Sequence, residues 1–221
     1  LVWLRLVKEK KLNLKVIKNL NIYIESNPNP NSLKFVTNIM LVDEGIVKDY
    51  PDIQSAEDSP LAKKLFDFEY VKRVFIMSNF ITITKKENFS WEEIKLDLKD
   101  FIKKYIEEKN EIISISKNES RKKSDKDINT DTDTDTDTDT DTDTDTIDEK
   151  IKNILEEYIR PAVEQDGGAI DFESFENGKV IVSLKGACSG CPSSTLTLKS
   201  GIENLLKRFV PEVKEVVAEE N

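Results

Sequence analysis

The sequence predicts an α+β protein of two small mixed α/β domains joined by a long disordered acidic linker. A Thr-Asp repeat from Asp131 to Asp145 divides the chain of 221 residues. On each side of the repeat, short segments that alternate apolar and polar residues, as strands do, accompany segments with helical apolar spacing. The predicted divisions are a basic tail over 1–20, a first domain over 21–108, a linker over 109–146 and a second domain over 147–221.

The composition excludes several classes of function. The formal charge is −10, from 33 basic and 43 acidic residues, but the repeat supplies eight of the aspartates and the remainder is nearly neutral. Neither half then offers the strongly basic surface of a nucleic-acid-binding protein. No apolar run approaches the roughly 20 residues that span a bilayer, so we expect no membrane part. The chain has no histidine, which excludes Ser-His-Asp triads and zinc sites that need imidazole.

Residues 1–20 and 109–146, on either side of the first domain, differ from it in composition. The first twenty residues carry Arg5 and five lysines against one acid, Glu9, which is typical of an organelle transit peptide or of a solvated basic tail. Residues 109–146 are too polar to bury the apolar area that would offset the entropy of ordering. We therefore expect a flexible spacer there, spanning roughly 30–35 Å.

Turn and capping residues separate the predicted elements of the first domain. The run Asn27-Pro28-Asn29-Pro30-Asn31 is a strong turn signal, and Ser59-Pro60 is typical of an N-cap followed by the first helical residue. Ser90 is a second candidate N-cap. The elements expected in order are strands 22–26 and 33–37, a short helix from residue 60, a hairpin of 71–77 and 80–85, and a helix from residue 91.

The second domain has the predicted order α-β-β-α-β. Its first helix presents an apolar face of Ile147, Ile151, Ile154, Leu155 and Tyr158, and we expect Pro161 to end it or to follow shortly after its end. Strands 169–175 and 179–185 flank Asn177-Gly178, a pair that favours a tight hairpin turn. After the cysteines follow a helix, stopped by Pro211, and a strand over 213–217.

The motif with the clearest chemistry is the run of residues 186–194, Gly-Ala-Cys-Ser-Gly-Cys-Pro-Ser-Ser. Its spacing brings the sulfurs of Cys188 and Cys191 to one side of a short loop, which we expect to be exposed. Pro192 suits the first position of a helix, and Cys191 is then a candidate N-cap. A helix N-terminus favours thiolate, the form that binds metal.

Three interpretations of the Cys188 and Cys191 pair remain open. A four-iron cluster or a tetrahedral zinc takes four ligands, so a second chain, a small thiol or a partner protein has to complete a metal site. The pair alternatively forms a thioredoxin-like dithiol that exchanges disulfides, or it is structural. The motif lies late in a domain of about 75 residues, which is unusual for a thioredoxin motif and favours metal.

The sequence resembles the NifU-like (Nfu) family of iron–sulfur cluster scaffolds and carriers. The second domain carries the resemblance in Ile159-Arg160-Pro161, Asp166-Gly167-Gly168, the cysteine run and Val210-Pro211-Glu212-Val213. The first domain carries it in residues 28–35, in Ser59-Pro60-Leu61-Ala62 and in residues 80–85. Ala169 departs from the family, which often has an acidic residue there.

The resemblance implies a carrier rather than an enzyme. It implies a [4Fe–4S] cluster, with [2Fe–2S] as the alternative, held by Cys188 and Cys191 from each of two subunits of a homodimer. It further implies the mitochondrial matrix, cluster donors, and recipient apoproteins such as lipoyl synthase and aconitase-type enzymes. Gly167 and Gly168 are expected to serve backbone geometry rather than ligation, and the first domain is expected to bind proteins.

Overall fold

The computed structural model describes residues 19–114, 143–189 and 192–220. The predicted basic tail, up to residue 18, and residues 115–142 of the predicted linker lie outside the described residues. The described residues form two domains of mixed helices and strands, which confirms the predicted fold class. Within these ranges, no helix has both the length and the apolar character needed to cross a membrane.

The first domain is a five-stranded antiparallel sheet with helices on one face. Its sheet has the order β1-β2-β5-β4-β3. Leu98 and Ile102 of the second helix and Leu61 and Leu65 of the first are fully buried in the core. The elements are β1 (Ile22–Ser26), β2 (Ser32–Thr37), β3 (Val47–Tyr50), α1 (Pro60–Phe66), β4 (Val71–Met77), β5 (Phe80–Lys85) and α2 (Trp91–Glu107).

Both N-caps predicted for the first domain are confirmed, but one of its strands was not predicted. Ser59 Oγ accepts a hydrogen bond from Ala62 N at 3.0 Å, and Ser90 Oγ accepts one from Glu92 N at 3.3 Å. Each hydroxyl satisfies a donor that the first helical turn leaves unpaired. No sequence pattern indicates β3, because an edge strand of four residues with two charged side chains is too short to show a period.

The first domain extends beyond the boundary predicted from composition. Ser114 N donates to Asp58 O at 2.7 Å, and Ser59 Oγ donates to Ile112 O at 2.7 Å. Ile112 and Ile113 pack against the core. Residues 110–114, predicted as linker, therefore belong to this domain. The apolar area that the two adjacent isoleucines bury against the core stabilises the segment in this position.

The second domain contains a three-stranded sheet of order β6-β7-β8. The hairpin between β6 and β7 turns at Asn177 and Gly178, whose φ angles of 54° and 86° are those of the predicted tight turn. Strand β8 pairs parallel with β7. The elements are α3 (Asp143–Ile154), a π-helical turn (Leu155–Ile159), α4 (Arg160–Gln165), β6 (Gly168–Glu176), β7 (Lys179–Gly186), α5 (Pro192–Phe209) and β8 (Glu215–Glu220).

The first α-helix of this domain ends at Ile154 and Pro161 follows shortly after it, as one of the two predicted alternatives has it, but Pro161 does not end the helical path. The chain passes through the π-helical turn and continues as α4, with Pro161 in its first turn. There the missing N–H of proline costs no helical hydrogen bond. The wider turn also rotates the helical face, so Tyr158 is 49% exposed and stacks on Phe209 instead of entering the core. Helix α3 begins at Asp143, inside the predicted linker.

Candidate functional site

The cysteine loop, residues 186–191, connects β7 to α5. Helix α5 begins at Pro192, as predicted. Cys188 is 7% exposed and packs within the core of the second domain. The expectation of an exposed loop is therefore wrong at Cys188. Cys191, the second predicted ligand and candidate N-cap, lies outside the described residues.

The paired glycines form the wall behind the Cys188 thiol. A Cβ atom on Gly168 would lie 2.8 Å from Cys188 Sγ and 2.6 Å from the carbonyl oxygen of Lys185. Gly167 has a φ of 81°, which favours glycine, and its carbonyl accepts a hydrogen bond from Ala187 N at 3.2 Å. Both glycines thus act through backbone geometry, by allowing the turn before β6 to pass close beneath the loop.

An open cavity of about 360 Å³ lies beside Cys188. Burial raises the pKa of the Asp166 carboxyl at its edge, and the positive charge of Lys34 only partly opposes this effect. The cavity walls come from both domains. They are formed by Pro28, Asn29, Ala162, Val163, Asp166, Ala187, Cys188, Thr197 and Leu198.

The first domain contributes polar side chains to the loop. Asn29 Nδ2 donates to Ala187 O at 3.0 Å, and this amide is part of the turn motif recognised in the sequence.

Arg73 and Asp49 reach the loop from adjacent strands, β4 and β3. Arg73 donates to Ser189 Oγ at 3.0 Å, and Gly186 N donates to Asp49 Oδ2 at 3.3 Å. Arg73 and Asp49 are themselves paired through two hydrogen bonds of 2.8 and 2.6 Å. Neither Arg73 nor Asp49 was predicted as a site residue, because a charged residue on a strand carries no signal of what its side chain contacts.

The described residues hold no group of three or more histidine, cysteine, aspartate or glutamate side chains that could bind a metal ion. The whole chain has two cysteines and no histidine. A thiophilic metal centre at this loop would therefore draw on Cys188 and Cys191 and on ligands from outside the chain. The donor set fits half of a four-thiolate site.

Comparisons with known proteins match both domains to one family. The family model described as "Scaffold protein Nfu/NifU N terminal" matches residues 22–109, and the model described as "NifU-like domain" matches residues 151–217. The solution structure of a NifU-like protein from Saccharomyces cerevisiae is 26% identical. The match covers 44% of this chain and 87% of the yeast chain, with a TM-score of 0.38.

Two curated relatives match across both domains. A protein of Drosophila ananassae named "NFU1 iron-sulfur cluster scaffold homolog, mitochondrial" is 36% identical over 209 residues, which cover 95% of this chain and 68% of the relative. "NifU-like protein 4, mitochondrial" of Arabidopsis thaliana is 38% identical over 200 residues, covering 90% of this chain and 65% of the relative. The chain thus spans about two thirds of the length of these relatives. Their names agree with the predicted mitochondrial location. On this evidence the chain belongs to the Nfu family of iron–sulfur cluster scaffold proteins.

Proposed function

We propose that this protein binds a [4Fe–4S] cluster between two copies of the chain and delivers it to recipient apoproteins in the mitochondrial matrix. The cluster is the cargo. The observation that carries the proposal is the position of Cys188 in the loop between a strand and a helix of a NifU-like domain. The Cys-x-x-Cys pair there contains all the thiols of the chain.

Ligand number leads to the shared cluster. A four-iron cluster takes four cysteine thiolates, and Cys188 with Cys191 supplies two. A two-fold dimer brings two identical pairs to one axis and completes the set without another protein. The apo protein should then be mainly monomeric, and cluster binding and dimerisation should be one event.

Delivery follows from ligand exchange. A recipient that offers its own cysteine thiolates replaces one subunit's pair at a time, so each iron–sulfur bond broken to Cys188 or Cys191 is replaced by one to the recipient. Iron, sulfide and electrons are conserved in the exchange. The family resemblance directs this proposal to recipients such as lipoyl synthase and aconitase-type enzymes.

Anaerobic reconstitution with iron and sulfide tests the proposal. We expect about one cluster per two chains, read as four iron and four sulfide ions, with a matching dimer mass in native mass spectrometry. Cys188→Ser and Cys191→Ser should each abolish cluster and dimer together, because two thiolates per dimer are too few. Ser193→Ala is the matched control, because it removes a hydroxyl group from the same run of residues and leaves both cysteines in the sequence.

Two outcomes would contradict the proposal. One is a complete cluster on a monomer without added thiol, and the other is a Cys188→Ser dimer that still holds cluster. Reduction of insulin by the metal-free chain, lost in both cysteine variants, would instead support the thioredoxin-like alternative.

A further inference from the structure

The second domain covers the outer face of the first domain's sheet. An antiparallel sheet commonly leaves one face in water, yet all six residues of β5 are buried. Alternate side chains along β4 and β5 point away from the helices. Among them Phe75, Met77 and Phe80 form a small apolar cluster with Ala169 of β6. Ala169 is fully buried, so this cluster is the dry centre of the contact between the domains.

Polar contacts surround the apolar centre. Lys34 Nζ donates to the carbonyl oxygens of Glu164 and Gln165, each at 3.0 Å. These carbonyls lie at the C-terminal end of α4, where a positive charge is favourable. Lys34 is only 8% exposed. Within the first domain its ammonium group lies 3.7 Å from Glu25 Oε2 and over the Phe80 ring, so the two carbonyl oxygens of the second domain, at 3.0 Å, are nearer acceptors than Glu25.

Hydrogen bonds from the first domain reach three of the first four residues of the cysteine loop. Gly186, Ala187 and Ser189 are bonded to Asp49, Asn29 and Arg73 respectively. A second copy of the loop cannot approach that surface while the first domain occupies it, because two bodies cannot fill the same volume. Pro28 and Asn29 of the first domain also wall the cavity that Cys188 lines, so a second chain that approached Cys188 through this cavity would have to displace the first domain.

We propose that the first domain is an intramolecular cap on the cysteine loop, and that the cap has to leave before a second chain can bring its cysteines to the same cluster. The capping contact stands on the geometry alone, and its link to cluster binding rests on the proposed function. Residues 115–142 join the domains in sequence, so an open cap stays tethered and returns readily when the cluster has gone.

One polar atom opposes the closed arrangement. Thr82 Oγ1 is buried without a hydrogen-bond partner. It faces Gly167, where an added Cβ would lie 2.6 Å from that oxygen. An unpaired buried hydroxyl costs free energy. That cost disappears when the cap opens, because water then reaches the outer face of β5. The contact is thus stabilised by the apolar centre and by Lys34 and weakened by Thr82, as a reversible cap requires.

Variants at the contact test the cap in the full-length apo chain. Iodoacetamide labels Cys188, with the rate read by tandem mass spectrometry, and small-angle scattering reports the radius of gyration. Ala169→Glu places an unpaired charge against Phe75 only in the closed form. We expect labelling of Cys188 to be at least about tenfold faster than in the wild type, and the radius of gyration to be larger.

Thr82→Val removes the unpaired hydroxyl, and we expect labelling of Cys188 to be about fivefold slower than in the wild type.

A milder substitution than Ala169→Glu tests the same contact with less disruption of the fold. Lys34→Met removes two hydrogen bonds from a residue on the face of the first domain, and we expect labelling about fivefold faster. Its matched control is Lys104→Met, at an exposed position on α2, which should label at the wild-type rate. Circular dichroism shows whether each variant is folded.

The labelling rates test the cap, and cluster binding tests the proposed function. Equal labelling rates in Lys34→Met, Thr82→Val and the wild type would overturn the cap, as would a larger radius in Ala169→Glu without faster labelling. With iron and sulfide, Ala169→Glu should form the bridged dimer faster than the wild type. If neither chain binds a cluster while the labelling contrast stands, the proposed function fails and the capping contact survives.

Discussion

The two domains bury their sheets by different means. The first domain covers one face of a five-stranded sheet with its own helices and leaves the other to the second domain. The second domain has a smaller sheet, and its apolar core includes the Cys188 side chain. Cys188 thus packs in the core of the second domain, and it also lines a cavity that Pro28 and Asn29 of the first domain help to wall.

The first domain contacts the loop but contains neither proposed ligand. The first domain has no cysteine and reaches the loop through an amide, a guanidinium and a carboxylate. Damage to its core should leave the proposed ligand pair intact, whereas damage to the core of the second domain should displace it. The proposed chemistry and its control thus lie on separate domains.

A matched pair of core truncations should give the largest effect. Leu98 and Leu206 are both fully buried, one in each domain. We expect each Leu→Ala change to destabilise its own domain by about 3 kcal/mol, because a cavity replaces the packed side chain. Only Leu206→Ala should also lower the iron bound per chain on reconstitution. Thermal unfolding followed by circular dichroism, with iron analysis, provides both measurements.

The opposite result would contradict the assignment of the ligand pair to the second domain. If Leu98→Ala, still folded in its second domain, lost the cluster while Leu206→Ala kept it, the first domain would hold the metal site.

A glycine substitution beneath the thiol should have a smaller effect. In Gly168→Ala the new Cβ meets the carbonyl of Lys185 and Cys188 Sγ. We expect the second domain to lose about 1–3 kcal/mol of stability, since strands and loop have to shift. Urea unfolding measures the change. In the control Gly201→Ala, on α5, the Cβ meets no atom within 4 Å. A helix there should gain about 0.5–1 kcal/mol.

Equal stability of the two glycine variants would contradict the close approach of Gly168 to the loop. A Gly168→Ala chain as stable as the wild type would show that the thiol has free space beneath it.

The smallest expected effect is a pH dependence in the first domain. Burial raises the pKa of the Asp58 carboxyl, but hydrogen bonds from Lys48 and Tyr50 outweigh it, so the pKa lies below its usual value. A lowered pKa stabilises the fold above the ordinary carboxyl pKa, and the contribution is lost as pH falls through the folded-state value. Asp58→Asn should therefore lower the Tm by about 2 °C at pH 7 and by nothing near pH 2.

The exposed Asp100 on α2 provides the control for this experiment. Asp100→Asn should leave the Tm unchanged at both pH values. A Tm difference for Asp58→Asn that persists undiminished at about pH 2 would show that the ionised carboxylate is not the stabilising group.

Most elements could be predicted because their signals are local. The alternation in β5, the caps at Ser59 and Ser90, and the Asn177-Gly178 turn depend on residues adjacent in the chain. Strand β3 was not predictable because its place is set by pairing with β4. The continuation of the helix past Pro161 was not predictable because a π-helical turn accommodates the proline there.

Local sequence patterns were sufficient to predict the two mixed domains, the hairpins and caps, the Cys-x-x-Cys loop and the family. The burial of Cys188 and the contacts of Asn29, Asp49 and Arg73 with the loop follow from the packing of the two domains. These three residues bond to partners 158, 137 and 116 positions away in the chain. Hydrophobic periods and turn motifs describe what a residue does within its own segment. They hold no information about which distant segment packs against it, since that depends on how two complete surfaces fit together.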